Sequence, residues 1–369
     1  MRIYGCMIVA ALLGLAGGAM AQGDGYHWYK GNTHTHTTNS DGDSTPGLVA
    51  RWYRNNGYDF LFITDHNKLT DVLDIQSEID QENARDARKK FLLIPGVEVS
   101  NNLTKEERKY AVHICGLDTK TTVGKQDGPT VRALLQKSID AIHAAGGLPS
   151  VNHPNFQWSL TTDDIFSLHD LKHYEIFNGH PMVNNMGGGD VPSMEEMWDD
   201  LLSRGRKYFG VAVDDAHHYK EFRKDLSNPG RGWVVVRARA LDSKNIMQGL
   251  ETGDFYASTG VVLQDLWTTP GKGIALTLNS DKLKFRTEFI GKGGKILKTD
   301  KTTSPSYELQ PDDLYVRAKV TASTGDIAWT QPVYLVEPAP VDSKATARND
   351  EKPSARNHSH IHGSISHSH

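Results

Sequence analysis

The residues best suited to chemistry in this 369-residue sequence are histidines and carboxylates that stand in short motifs. His34 and His36 are two residues apart on a predicted extended segment, so both imidazoles point to one face and can bind the same metal ion. Asp41 follows in a loop from which its carboxylate can turn toward that centre. Further candidate metal ligands along the chain are His66, Glu98, His113, His153, Asp215 and His217.

Each of these residues, taken alone, has an ordinary structural explanation. A single histidine at a strand end is usually held by hydrogen bonds, and a single aspartate usually belongs to a turn or a helix cap. A set of imidazoles and ionised carboxylates at consecutive strand ends is different, because its members would repel one another or lack partners unless cations gathered them. The set therefore predicts a site for divalent metal ions.

The elements that must position these residues are short apolar runs that alternate with helical patterns. This alternation predicts repeated βα units and a mostly parallel sheet. The predicted strands are residues 28–33, 60–64, 91–99, 110–114, 148–152, 174–177, 209–213 and 233–237, and the predicted helices are residues 46–56, 73–90, 130–145 and 193–204. Almost every candidate ligand stands at the carboxyl end of a predicted strand or just beyond it, which is where α/β barrels build active sites.

The two ends of the sequence differ from its middle. Residues 1–21 contain an early arginine, an apolar run and small residues before the end, a pattern typical of a signal peptide cleaved after Ala21. The apolar run is shorter than the about 20 residues that span a bilayer, so we expect no stable membrane anchor after cleavage and a periplasmic or secreted protein. Residues 341–369 are polar and rich in histidine, which predicts a disordered tail that either captures metal or has no role.

The overall composition is that of a soluble globular protein, with 38% hydrophobic residues and a formal net charge of −4. Acidic and basic residues are interspersed, so we expect no nucleic-acid partner. Cleavage of the leader would leave Cys115 as the only cysteine, in an apolar run that predicts a buried, unreactive thiol. The oligomeric state is left open by the sequence.

From residue 263 onward the pattern changes to alternating polar and apolar residues separated by turn signals. This pattern predicts a small antiparallel β-sandwich over residues 263–340, after a metal-binding α/β domain over residues 26–262. The segment has no cluster of metal-binding side chains in its sequence. We therefore expect it to be an accessory or packing module.

The order of the motifs resembles that of the PHP (polymerase and histidinol phosphatase) family of metal-dependent phosphoesterases. The resemblance runs from about Trp28 to Tyr219 and implies a distorted (βα)7 barrel with two to three divalent metal ions, commonly zinc, manganese or iron. Secreted family members with a small C-terminal β module, including a carbaryl-hydrolase-like esterase that acts on aryl carbamates, resemble the chain further. The motifs are His34-Thr35-His36, Ser40-Asp41-Gly42, Thr64-Asp65-His66, Gly96-Val97-Glu98, His113, Asn152-His153-Pro154 and Asp215-Ala216-His217.

The same resemblance implies how the candidate ligands are divided among the metals, with Glu98 as a bridge between the first and the second. Some family members have a histidine where this chain has Asp41, so the identity of the third metal stays open. The implied sets are His34, His36, Glu98 and Asp215 for the first metal, Glu98, His113 and His153 for the second, and Asp41, His66 and His217 for the third.

Other polar residues near the motifs are candidates for catalysis and substrate contact. Asp65 precedes a predicted ligand and is a candidate to orient it or to accept a proton from the attacking water, and His180 is a second catalytic candidate. For all of these residues an ordinary surface or turn position is equally compatible with the sequence. The candidate substrate contacts are Asn67, Lys68, Asn101, Asn178 and His218.

These observations predict a metal-dependent phosphoesterase that cleaves a small-molecule phosphomonoester or phosphodiester with a metal-activated hydroxide. A hydrolase of carboxyl esters, carbamates or amides with the same metal centre is the first alternative, favoured by export and by aromatic residues such as Phe156. A non-catalytic binding protein is the second, and the complete ligand set argues against it. The sequence has no Gly-x-Ser-x-Gly motif, so a serine-hydrolase triad has no support.

Overall fold

The computed structural model describes residues 25–86, 90–279 and 283–339. The predicted signal peptide and the predicted polar tail lie outside these residues. The described chain has a mixed α/β structure with a large 14-stranded sheet and a separate three-stranded sheet. The α/β class predicted from the alternating pattern is confirmed at this level.

The candidate ligands come from the first seven strands and the segments that follow them. None of the helices in the described ranges is both long and apolar enough to cross a membrane. The strands are β1 (His27–Asn32), β2 (Phe60–Ile63), β3 (Leu92–Lys105), β4 (Arg108–Leu117), β5 (Leu148–Val151), β6 (His173–Asn178) and β7 (Phe209–Val213). The helices are α1 (Pro46–Asn55), α2 (Leu73–Asp86), α3 (Val131–Ala144), α4 (Thr162–Phe166), α5 (Met194–Ser203) and α6 (Ser243–Thr252).

The seven strands are neighbours in the sheet in the order in which they occur in the chain. Strands β1 to β3 are mutually parallel, and so are β5 to β7. Beyond the end of β7, Ala216 forms a parallel bridge with Thr35, which follows β1. This bridge brings the last of the seven strands back to the first at their carboxyl ends, so the segments that carry the candidate ligands meet there.

Strand β4 departs from the predicted series of βα units. It follows β3 through a two-residue turn at Glu106 and Glu107, both of which have left-handed φ angles, of 50° and 65°. Such a turn matches the twist of a β-hairpin, so β3 and β4 pair antiparallel over ten residues, and β4 is antiparallel to β5 as well. The expectation of a mostly parallel run is therefore wrong at β4, and His113 lies in the middle of its strand.

Burial explains why the short apolar runs are strands. Every residue of β2 and of β7 is buried, as is usual for parallel strands that are covered on both faces. The helices cover the outside of these strands with one apolar face each; α3, for example, buries Leu135, Ile139 and Ile142. The rigid strands are thus fixed by apolar packing on both sides, which leaves their carboxyl ends free to carry polar groups.

The region after the seven strands is almost entirely β-structure. Strand β9 pairs with β16, so the large sheet continues from the first region into the second. Strands β10, β11 and β14 form the three-stranded sheet, whose apolar residues share a core with β12 and β15. The strands are β8 (Trp233–Ala238), β9 (Phe255–Ser258), β10 (Leu263–Thr269), β11 (Gly273–Leu278), β12 (Phe285–Gly291), β13 (Lys295–Asp300), β14 (Ser306–Glu308), β15 (Tyr315–Ala322), β16 (Ile327–Thr330) and β17 (Val333–Tyr334).

A buried ion pair ties the two regions together. Arg317 of β15 is 1% exposed and donates two hydrogen bonds, of 2.7 and 2.6 Å, to the carboxylate of Asp199 on α5. The hydroxyl of Tyr315 donates to the same carboxylate at 3.0 Å. Removal of one partner of such a pair leaves a buried charge uncompensated and costs about 3–5 kcal/mol. The C-terminal β region is therefore docked in a fixed position against α5.

A buried histidine far from the candidate ligands makes the stability of this fold depend on pH. His173 at the start of β6 contacts the rings of Phe209 and Phe255, and burial lowers its pKa to about 4. Since the unfolded chain binds this proton near pH 6.5 and the folded chain does not, stability is complete above about pH 6.5 and is lost as the pH falls toward 4.

We predict that His173→Gln weakens this pH dependence. Between pH 7 and pH 5, the free energy of unfolding of the metal-loaded variant should fall by about 2 kcal/mol less than that of the wild-type protein. Urea unfolding at the two pH values measures the difference, and an equal fall in both proteins would contradict it.

Candidate metal centre

The first group of candidate ligands lies where β1 meets β7. The Nε2 atoms of His34 and His36 are 3.2 Å apart. Both nitrogens lie close to Oδ1 of Asp215, at 3.3 and 3.2 Å respectively. Both residues are buried, so these donor atoms converge on one point in the interior.

Glu98 of β3 stands between this group and its neighbours. Its Oε1 atom lies 3.4 Å from His34 Nε2, 3.2 Å from His113 Nδ1 and 3.3 Å from His153 Nε2. Its other oxygen, Oε2, lies 3.4 Å from His36 Nε2 and 2.7 Å from His66 Nδ1. Glu98 therefore faces five imidazoles from four different segments, with both of its oxygens directed at imidazole nitrogens.

A third group lies on the more exposed side of the centre. Asp41, whose side chain is 54% exposed, lies 3.3 Å from His66 Nε2 and 3.4 Å from His217 Nε2. His36 Nδ1 is 3.7 Å from the same carboxylate. His36 thus faces Asp41 with one ring nitrogen and the Glu98 group with the other.

The structure brings all nine candidate ligands together. Eight of them fall into groups whose donor atoms all lie within 4.8 Å of one another, and Asp215 adjoins the first group. Glu98 belongs to two groups, as the bridging arrangement requires. The groups are His34, His36 and Glu98; Glu98, His113 and His153; and His36, Asp41, His66 and His217.

The residues of the centre fit divalent cations, and the environment of Glu98 Oε2 supports this conclusion. Glu98 Oε2 is inaccessible to solvent and accepts no hydrogen bond, although two imidazole nitrogens lie beside it. A buried carboxylate oxygen without a hydrogen bond is costly, and a cation bound between it and the imidazoles removes that cost. Imidazole and carboxylate donors together suit zinc, manganese and iron.

The electrostatics of the centre favour a cation as well. Burial opposes ionisation of Glu98, but the neighbouring His66, His34 and His113 outweigh it and hold its pKa well below the usual value. Asp215 behaves in the same way, since burial is outweighed chiefly by His34 and His36, and its pKa is also held well below the usual value. Both carboxylates are therefore ionised at neutral pH and can act as anionic ligands.

Two of the candidate ligands have left-handed backbone conformations that the surroundings must hold. The φ angles of His153 and Asp215 are 22° and 49°. Such conformations cost of order 1–3 kcal/mol each for residues other than glycine and are concentrated at functional sites. The His153 N–H donates to Glu175 at 2.6 Å, and the Asp215 N–H donates to the His34 carbonyl at 3.0 Å, which fixes both turns.

Glu175 of β6 is a functional residue that the sequence reasoning missed. It is buried, and its Oε1 lies 2.8 Å from His34 Nδ1 while its Oε2 accepts the His153 N–H. A carboxylate bound to the distal nitrogen of a ligating imidazole fixes the tautomer that presents the other nitrogen to the metal. Glu175 thereby orients His34, and its sequence signal was a lone charge in an otherwise apolar strand.

Asn178 is buried beside two carboxylates of the centre. Its Nδ2 donates to Glu175 at 2.9 Å and to Asp215 at 3.2 Å, and the residue is fully buried. Asn152, which the sequence analysis left without a role, donates to Glu98 Oε1 at 2.7 Å. Both amides therefore position the carboxylates of the centre, whereas the sequence analysis had proposed Asn178 as a substrate contact.

Asp65 holds the loop that carries Asp41. Its carboxylate accepts hydrogen bonds from the N–H and hydroxyl of Thr37, from the Ser40 hydroxyl at 2.8 Å and from the Thr70 hydroxyl at 2.5 Å. These bonds occupy both oxygens. Asp65 therefore positions the Asp41 loop and not His66, the ligand that it was expected to orient, and its occupied oxygens give no support to a role as proton acceptor.

The remaining candidate substrate contacts differ in their positions. Asn101 is buried, donating to Ser138 at 2.9 Å and accepting from the Gln126 N–H at 2.7 Å, so it fixes the segment before α3. Lys68 is exposed. The His218 N–H donates to the Ser227 carbonyl in the loop after β7. None of these three is among the residues that line the cleft beside the centre.

His180 lies at the edge of the centre. Its ring centroid is 5.6 Å from that of His217 and 5.9 Å from that of Phe156. Burial, reinforced by His217 and His153, lowers its pKa to about 4, so the ring is neutral at pH 7. Its Nδ1 accepts the Met182 N–H at 3.2 Å, which leaves the proton on Nε2 and makes that nitrogen a hydrogen-bond donor.

A cleft of about 290 Å³ opens beside the centre. Two candidate ligands, His113 of the second group and His66 of the third, line this cleft, which is open to solvent. Its lining residues are His66, Asn67, Ser100, Asn102, Ala111, His113, Lys125, Phe156 and Gln157. Asn67 is thus the one candidate substrate contact that lines this cleft, and Lys125 is a lining residue that the sequence analysis missed.

No protein-family model matches the chain, and no curated protein matches it closely enough to count as a relative. Among solved structures, it is similar to a two-domain Bacteroides vulgatus protein described as containing a predicted PHP-like metal-dependent phosphoesterase, with 15% identity, a TM-score of 0.47 and coverage of 81% of this chain and 92% of that chain.

Two further solved structures match a smaller part of the chain. One, from Bifidobacterium adolescentis, is described as a candidate metal-dependent phosphoesterase, with 14% identity, a TM-score of 0.35 and coverage of 54% of this chain and 89% of that chain. The other, from Chromobacterium violaceum, is described as an amidohydrolase with bound sulfate, with 16% identity, a TM-score of 0.34 and coverage of 54% and 90%.

The contact between Glu175 and His34 gives a direct test of the centre. We predict that Glu175→Gln weakens metal binding by about 10–100-fold, because the amide no longer fixes the His34 ring as a carboxylate does. Competition with a chromogenic chelator measures the affinity. The matched control is Asp190→Asn, at an exposed acid after the same strand, and equal metal affinity in both variants would contradict the role of Glu175.

Proposed function

We propose that the protein is a metal-dependent hydrolase of the PHP family, and that its reaction is the hydrolysis of a phosphoester. The observation that carries this proposal is the position of Glu98, a buried carboxylate whose two oxygens face imidazoles on both sides. A carboxylate shared by two cations would hold them close together, and pairs of closely spaced cations stabilise both the attacking and the leaving oxygen in metal-dependent hydrolases. In this proposal the seven strands form the distorted barrel of the family.

The cations we propose are two to three zinc, manganese or iron ions. When bound, they would supply Lewis-acid stabilisation of developing negative charge and an activated water near neutral pH. The side chains proposed to hold them are those of the three groups described above. The residues beneath, Glu175, Asn178 and Asn152, keep the ligating atoms in place, so little reorganisation is needed during the reaction.

His180 is the protein group that we propose contributes a hydrogen bond to the reacting ester. Its neutral ring carries the proton on Nε2 and lies against His217 and Phe156. A donor fixed at that position stabilises an oxygen that gains negative charge in the transition state. In this proposal the nucleophile is a water molecule and not a side chain. Cys115, the one cysteine of the described residues, is unsuited to that role because it is buried and burial raises its pKa.

The lining of the cleft supports an anionic ester over a neutral one. None of its nine lining residues is acidic. Since the phosphoryl group of a phosphomonoester or phosphodiester carries negative charge, a lining without carboxylates does not repel it, whereas a neutral ester or carbamate gains nothing from the lack of acidic residues. This difference favours a phosphoesterase.

Hydrolysis of a carboxyl ester, carbamate or amide at the same centre is the second candidate, and Phe156 is the observation that favours it. This side chain gives the cleft an apolar, aromatic wall beside the metal-binding residues, which suits an aryl leaving group. The two candidates share the centre and differ only in the acyl or phosphoryl group.

Export and partners are proposals that rest on the sequence. We propose a periplasmic or secreted enzyme because residues 1–21 have the pattern of a cleaved signal peptide. The proposed partner is a small-molecule ester, since the cleft beside the centre has a volume of about 290 Å³.

We predict that the purified protein contains two to three metal ions per chain and hydrolyses aryl phosphates or bis-aryl phosphates. Glu98→Ala should lower the metal content below two per chain and reduce turnover by about 10²-fold or more, because it removes the shared ligand. Elemental analysis and release of the aryl alcohol provide the two measurements. The matched control is Glu251→Ala, at an exposed position on α6.

Each alternative has its own outcome in this experiment. Turnover of aryl carbamates without turnover of either phosphate would replace the phosphoesterase by the second candidate. A full complement of metal with no turnover of any ester would favour a non-catalytic binding protein. Turnover that Glu98→Ala leaves unchanged would remove Glu98 from the mechanism.

A further inference from the structure

The cleft beside the centre is lined by an aromatic and a cationic side chain in addition to the candidate metal ligands. Its lining includes His66 and His113, which belong to different ligand groups. Its remaining lining residues are uncharged except for Lys125. A substrate whose reacting group reaches the centre therefore extends its other part along a wall that is apolar on Phe156 and positively charged at Lys125.

The segment that carries Lys125 is held on both sides. Val123 is buried, and the Gln126 N–H donates to the buried side chain of Asn101 at 2.7 Å. Lys137 of α3 donates to the carbonyl of Asp127 at 2.7 Å. Among the described residues, the Lys125 ammonium has no ion pair or hydrogen bond. Its backbone is thus fixed at the cleft while its charge is left available to a ligand.

The segment that carries Phe156 is also held in place. The Phe156 ring lies 5.2 Å from the His153 ring, centroid to centroid, and its backbone forms an antiparallel bridge with Val183. Asn155 donates to the carbonyls of Asn184 and Pro192 at 3.1 and 2.9 Å. An aromatic side chain held in this way provides a flat, apolar surface for a planar group.

We propose that this cleft binds the leaving group of the ester and selects a planar ring with an acidic substituent, the ring packing on Phe156 and the acidic substituent pairing with Lys125. The inference rests on the proposed function because it takes the metal centre as the position of the reacting group. It goes beyond that function in naming the chemical class of the leaving group and the residue that recognises it.

Binding of non-hydrolysable phosphonates to the metal-loaded protein tests the proposal without relying on turnover. The probes are phenylphosphonate and its 3-carboxy and 4-carboxy derivatives, with affinities measured by calorimetry. We expect the wild-type protein to bind one carboxylated derivative about three- to fivefold more tightly than phenylphosphonate, as for a solvent-exposed ion pair. Lys125→Met should abolish this preference and leave the affinity for phenylphosphonate unchanged.

Two further variants sharpen the test. Lys125→Glu should reverse the preference, so that an aminomethyl derivative of phenylphosphonate binds more tightly than either carboxylated one. The matched control is Lys120→Met, in the same segment, where the lysine pairs with Asp118 at 2.6 Å and does not line the cleft. This variant should keep the wild-type preference.

The outcomes separate this inference from the proposed function. Equal affinity of the wild-type protein for all the phosphonates, or no binding of any, would overturn the inference. A loss of affinity for phenylphosphonate itself in Lys125→Met would locate the lysine at the phosphonyl group and would also overturn it. Turnover of phenyl phosphate, measured in parallel, reports on the proposed function independently.

Discussion

The structure depends on the burial of one carboxylate among imidazoles. Glu98 is 1% exposed and ionised, and its Oε2 atom has no hydrogen bond. Transfer of a carboxylate from water into a protein interior is costly unless positive charge compensates it. Protonated imidazoles supply that charge in the absence of metal, as the lowered pKa of Glu98 indicates, but an imidazole that ligates a metal must be neutral, so the cation then supplies the charge. The arrangement becomes favourable when cations occupy the points on which the nitrogens and oxygens converge, and the surrounding features serve to maintain that convergence.

The fold brings the donor atoms of the candidate ligands together because it places the ends of several strands side by side. The bridge between Thr35 and Ala216 joins the segment after β1 to the segment after β7. The bridge between His66 and Glu98 joins the segment after β2 to β3 itself. The β3–β4 hairpin adds a ligand in a different way, since its antiparallel register sets His113 opposite Ser100, two residues beyond Glu98. Parallel and antiparallel pairing thus deliver donors to the same place.

The candidate ligands could be predicted from the sequence because they stand in short local patterns. An HxH pair on an extended segment and polar residues after apolar strands are visible in the chain itself, and the structure brings all nine candidates together. It erred on β4 because a short apolar run has the same pattern in parallel and antiparallel strands. The left-handed pair Glu106 and Glu107, which forces the hairpin, contains no glycine and so gave no turn signal.

Residues that act through others were harder to find. Glu175 and Asn152 orient ligands that lie 141 and 54 positions away in the sequence, so no local spacing connects them to the centre. Asn101 and Asn178 are near the motifs in the sequence, yet their side chains hold loops and carboxylates instead of facing the cleft. Lys125 lies in a segment without a helix or strand, so no periodic pattern in the sequence places it at the cleft, and its position there depends on how that segment packs.

The most direct test of the account is to locate the cations themselves. Crystals of the metal-loaded protein, with diffraction data collected on both sides of the absorption edge of the bound metal, give anomalous difference peaks at each ion. The account predicts one peak among His34, His36, Glu98 and Asp215, and a second among Glu98, His113 and His153. A single peak, or peaks that Glu98 does not contact, would contradict the central role of the buried carboxylate.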